Sequence, residues 1–64
     1  MATKRLDEQT FDWTQDAFRS RPNRRTAGEY LRAAMEYEAD GMIGDNTFLS
    51  ALAEIRDWML EGVS

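Results

Sequence analysis

Sixty-four residues with no cysteine and no histidine make one small domain at most, with no disulfide, no thiolate metal site and no imidazole base. A chain this short buries only roughly 60% of the surface its unfolded form exposes, so its stability margin is thin. The net charge is −4 and divides unevenly. Residues 1–25 carry six basic and four acidic side chains, whereas residues 26–64 carry two basic (Arg32, Arg56) and eight acidic ones. The acidic remainder argues against general nucleic-acid binding, which needs a basic footprint.

The N-terminal Met-Ala-Thr-Lys-Arg-Leu-Asp-Glu has charges with no apolar stretch behind it, so it does not read as a secretory signal. No apolar run approaches the roughly 20 residues that cross a bilayer. The expected compartment is the cytoplasm of the producing or host cell, with no membrane contact. There is no internal repeat and no low-complexity tract, and 1–64 reads as a single domain.

The first predicted helix covers residues 7–19, with Asp7 or Thr10 as its N-cap. Leu6, Trp13 and Ala17 fall on one stripe, with Phe11 and Phe18 beside it at a spacing of seven. Pro22 and Asn23 break the chain. A second helix over residues 27–40 opens on Thr26-Ala27-Gly28-Glu29, whose Thr and Glu three apart match a capping box. Gly41 ends it in the left-handed conformation. The third helix, residues 46–61, is capped by Asp45 or Asn46. Its Phe48, Leu52, Ile55 and Met59 follow intervals of four, three and four, and Gly62 closes it. The short link from Gly41 to Asp45 makes helices two and three antiparallel, with Met42 and Ile43 placed to cover the open end of the hairpin. The fold class is therefore all-α: an N-terminal helix packed on a C-terminal antiparallel α-hairpin. The expected core is Phe11, Phe18, Leu31, Ala34, Met35, Phe48, Leu52, Ile55 and Met59.

Two local resemblances fall on the hairpin. Glu36, Glu38, Asp40, Gly41 and Ile43 resemble the calcium loop of EF-hand proteins in their spacing. The first ligand position holds Glu, however, and the last holds Thr47, which has no carboxylate for bidentate chelation. The favoured reading is a helix ending in Asp-Gly with acids on its wet face. Leu31, Gly41, Ile43, Phe48, Leu52 and Ile55 are similar in outline to the helical hairpins called SHOCT domains. That resemblance implies oligomerisation or attachment to other domains.

No glycine-rich phosphate loop, nucleophile elbow or metal-ligand pattern occurs, so no cofactor and no catalytic residue is expected. Acid pairs at helical spacing, Glu36 with Asp40 and Glu54 with Asp57, read as solvated faces. A working pair needs a cleft that raises one pKa. The function expected is protein–protein binding without enzyme activity, as in a regulator or inhibitor of a larger host protein of the kind phages and mobile elements encode. The candidate partner-binding side chains are Trp13, Arg19, Arg21, Arg24, Arg25, Tyr30, Tyr37, Met42 and Trp58. A homodimer is a further expectation, because so many aromatics exceed what one small domain covers. The rival readings are nucleic-acid contact through the Arg19–Arg25 loop and an acidic face that imitates a nucleic-acid backbone.

Overall fold

A computed structural model describes residues 3–63, with side chains from Thr10 to Gly62. The fold is all-α, with helices α1 (Thr3–Ser20), α2 (Arg24–Ala39) and α3 (Asp45–Val63) and no strand among the described residues. No helix among these residues is long and apolar enough to cross a membrane.

Helix α1 starts upstream of the expected residue 7 because nothing in Thr3-Lys4-Arg5-Leu6 breaks a helix. Asp7 and Thr10 therefore lie inside it and do not cap it. The Arg21 N–H still bonds the Ala17 carbonyl at 2.9 Å. Pro22 then stops the ladder, since it has no N–H to give.

Helix α2 also begins earlier than expected. Its N-cap is Asn23, whose side-chain oxygen accepts from the Thr26 N–H at 2.9 Å, while Thr26 Oγ1 accepts from the Asn23 N–H at 2.9 Å. The capping box thus runs Asn23–Thr26 instead of Thr26–Glu29. The Thr26 hydroxyl also donates to the Arg21 carbonyl, which ties the break to the new helix. Glu29, freed from capping, stands 3.6 Å from Arg25 one turn back.

Gly41 ends α2 at φ 76° as expected. The Met42 N–H reaches the Tyr37 carbonyl at 2.8 Å and the Gly41 N–H reaches that of Glu38 at 3.0 Å. These are the two bonds of a Schellman motif. In the turn the two apolar residues part ways. Ile43 packs against the core, and Met42 stays exposed.

Helix α2 is the middle element. It packs along α1 on one side and α3 on the other, and α1 reaches α3 through side chains. The core forms around Tyr30, 1% exposed, whose ring lies 5.9 Å from Phe11 and 5.5 Å from Phe18, centroid to centroid. Phe11 also meets Tyr37 at 5.4 Å, and Phe18 meets the edge of Trp58 at 5.7 Å. Alanines at 27, 33, 34 and 51 are buried between the helices and let the backbones approach.

This core differs from the expected one. Phe11, Phe18, Ala34 and Ile55 are buried; Leu31 and Phe48 pack against them at the edge, and Leu52 is half-buried. Met35 and Met59 are each 54% exposed. The Phe11–Phe18 line is the buried face of α1. Trp13 and Ala17 are exposed, because each lies well off that line on the helical wheel. Leu6 lies outside the described side chains. The molecule is elongated, with principal extents of 45 × 22 × 13 Å.

Candidate functional site

The arginines expected to form one basic loop are dispersed by the helix boundaries. Arg19, in the last turn of α1, donates from Nε to Glu54 Oε2 at 2.6 Å and from Nη2 to Oε1 at 3.2 Å. This fork ties α1 to α3. Arg24 and Arg25 open α2 and are not loop residues. Arg21 is exposed between the helices. Positive charge in a first helical turn runs against the helix dipole; Arg25 has the Glu29 carboxylate 3.6 Å away to offset this.

Glu54 is drawn into a chain that crosses all three helices. Gln15 Nε2 donates to the Tyr30 hydroxyl at 3.0 Å, and that hydroxyl donates to Glu54 Oε1 at 3.0 Å. The Arg19 hydrogen bond holds the Glu54 carboxyl below the usual glutamate range; burial opposes this and the Tyr30 hydroxyl adds to it. Burial is the main reason that the Tyr30 phenol is pushed above its ordinary value. A general acid needs a carboxyl whose pKa is raised. Glu54 is shifted the other way and serves the fold. Around Glu36, Glu38 and Asp40, no group of three or more acidic side chains converges to hold a metal among the described residues.

Tyr30 and Tyr37, expected at a partner surface, are core residues instead. Trp13 does lie at the surface, 74% exposed, over a shallow hollow with Thr14, Ala17 and Glu29. Met42 lines a second hollow, at the turn, with Phe11, Asp12, Tyr37 and Ile43.

A groove of about 450 Å³ lies between α2 and α3, lined by Arg24, Ala27, Gly28, Leu31, Ile55, Trp58, Met59 and Gly62. It brings together two of the expected site residues, Arg24 and Trp58. A Cβ added at Gly28 or Gly62 would meet nothing within 4 Å, so the end of the groove where α2 begins and α3 finishes is open. Helical steps set its walls: Arg24 and Leu31 stand seven apart on α2, and Ile55, Met59 and Gly62 follow steps of four and three on α3, which keeps them on nearly one face of each helix. The groove has the Arg24 side chain at its open end and the apolar side chains of Leu31, Ile55, Trp58 and Met59 along its walls. Met59 stands exposed along it, and Leu49 and Leu60 add exposed apolar surface elsewhere on α3.

Sequence reasoning missed this groove because it placed Leu31 and Met59 inside. The available signal was the apolar girth of α3. Leu49, Leu52, Met59 and Leu60 together with Phe48, Ala51, Ile55 and Trp58 are more than one packed stripe needs. Comparison with known protein families, curated proteins and solved structures finds no match to this chain.

Proposed function

We propose that this chain is a protein-binding module without enzymatic chemistry, and that its binding surface is the α2–α3 groove with an apolar-faced helix as occupant. The observation that carries this reading is an open groove walled by Leu31, Ile55, Trp58 and Met59 along two antiparallel helices. Two helices side by side present the hollow into which a third helix packs, ridge into groove. The exposed thioether of Met59 suits such a surface, because methionine is unbranched, polarizable and adapts to the contour it meets. A regulator or inhibitor acting by occlusion fits this reading, and so does a cytoplasmic setting for a chain that has no cysteine.

Photo-crosslinking in producing cells tests it. A crosslinking amino acid at position 59 lies in the groove, and one at position 32 lies on an exposed part of α2 outside it. Discrete protein adducts from position 59 and few from position 32 are expected. No adduct from position 59, or the same adducts from both positions, overturns the reading.

A further inference from the structure

We infer that the occupant of this groove is an amphipathic helix that brings a carboxylate to Arg24. Its apolar stripe, about two turns long, seats against Leu31, Ile55, Trp58 and Met59, and an aspartate or glutamate lies over the start of α2. The inference rests on the groove as a binding surface and specifies the chemistry of its partner.

The polar inventory of the groove is one-sided. Among its lining residues only Arg24 and Trp58 carry strong hydrogen-bonding side-chain groups, a guanidinium and an indole N–H. Both are donors with no acceptor capacity. No carboxylate, amide or hydroxyl side chain lines the groove. An apolar partner laid beside Arg24 strips water from the guanidinium and returns nothing for it, which costs free energy. A partner acceptor removes that cost. A carboxylate is the acceptor that suits the position, because its two oxygens match the guanidinium fork.

Arg24 is available for this contact. It is exposed and takes part in none of the ion pairs among the described residues, which are Arg19–Glu54, Arg25–Glu29, Arg32–Glu36 and Arg56–Asp57. Arg25 has its carboxylate one turn on; Arg24 has none. Arg21, exposed three residues earlier and also outside those pairs, adds to the positive potential at this end. Glu61, in the last turn of α3, does not line the groove. The net charge of −4 gives the chain no general attraction for acids, so the preference is local to Arg24. From Arg24 to Leu31 the rise is about 10 Å at about 1.5 Å per residue. The acid and the apolar side chain that meets Leu31 therefore stand about two turns apart on the partner. Between them, the open space at Gly28 lets a partner side chain reach close to the α2 backbone.

Peptide binding to the whole chain, read by Trp58 fluorescence, is the test. In the Trp13→Phe variant Trp58 is the remaining tryptophan, and it lines the groove. The probes are three synthetic helical peptides with blocked ends and a stripe of leucines at helical spacing. They differ only in carrying glutamate, glutamine or lysine about two turns from the far leucine. The glutamate peptide should bind about tenfold more tightly than the lysine peptide, with glutamine between, and added salt should narrow the gap. Arg24→Glu should reverse the order. Arg25→Glu, on the same turn but outside the groove lining, should keep it, with circular dichroism confirming helicity in both. Three peptides that bind alike, an order that Arg24→Glu leaves unchanged, or no binding by any of them up to millimolar concentration overturns the inference. The crosslinking experiment separates the two levels. Loss of the position-59 adducts on Arg24→Glu supports the acidic partner. Adducts that persist undiminished in that variant keep the groove as a binding surface and remove the carboxylate. No adduct from position 59 in the wild type removes the groove reading and the inference with it.

Discussion

Tyr30 donates its hydroxyl proton to Glu54 across 3.0 Å, so the most deeply buried large side chain of the molecule ends in a hydrogen bond to a carboxylate at the edge of the core. Tyr30→Phe keeps the ring and deletes the link, leaving Gln15 without its acceptor. The expected cost is about 1 kcal/mol, or a fall of about 4–8 °C in Tm for a domain of this size. Thermal denaturation followed by circular dichroism measures it.

Acid should weaken the same node. The Glu54 carboxyl is held low in the folded chain, chiefly by Arg19. A depressed folded pKa contributes stability that is fully present above the unfolded value and lost as pH falls through the folded one. Glu54→Gln should therefore melt below the wild type at neutral pH, and the gap should close below the unfolded glutamate value of about 4.3. Arg19 is 56% exposed, so the gap stays small, about 1 kcal/mol or less. A gap that is constant with pH would show that the ion pair contributes nothing that titrates.

The two glycines of α2 and its exit should respond in opposite directions. Gly41 sits at φ 76°, where a β-branched side chain is strained, and Gly41→Val should destabilise by about 1 kcal/mol or more. Gly28 lies within α2, and a Cβ there meets nothing. Gly28→Ala should raise the stability of the monomer by about 0.5–1 kcal/mol. Denaturant titrations of the two variants at low protein concentration check both signs.

The two tryptophans should differ as reporters. Trp13 is exposed, and Trp58 packs edge-on against Phe18. Acrylamide should quench Trp13 in the Trp58→Phe variant far more readily than Trp58 in the Trp13→Phe variant. Trp13→Ala should leave Tm nearly unchanged, whereas Trp58→Ala should cost about 2 kcal/mol or more.

Nucleic acid is a specific alternative to a protein occupant. With Arg19 engaged by Glu54, no retardation of random DNA or RNA is expected at physiological salt in a mobility-shift assay. Arginine-dependent retardation that falls steeply with added salt would instead point to phosphate contacts.

Helix count, hairpin direction and the Gly41 exit were legible in the sequence because each depends on local chemistry: a glycine, a short link, a periodic run. The start of α2 was misread because two overlapping boxes compete there. Thr26 serves as the N3 partner of Asn23, not as a cap in its own right. The core was misread for a different reason. Large apolar residues were counted inward, whereas four alanines and two tyrosines hold those places. Alanine lets helices approach without leaving a large apolar signature, and the Tyr30 ring buries readily because its hydroxyl is bonded to Gln15 and Glu54. The 4-3-4 line along α3 hid the groove, because in the structure it splits into Ile55 facing α2 and Met59 facing outward.

The central position of α2 has a consequence for how the molecule opens. Each flanking helix leans on α2 with one face, whereas α2 is gripped from both sides. Partial openings should then peel α1 or α3 away separately while α2 remains held by whichever neighbour stays in place. Amide protons of α2, above all near Ala33 and Ala34, should exchange with deuterium only when the whole chain unfolds, and those on the far sides of α1 and α3 should exchange through smaller, more frequent excursions.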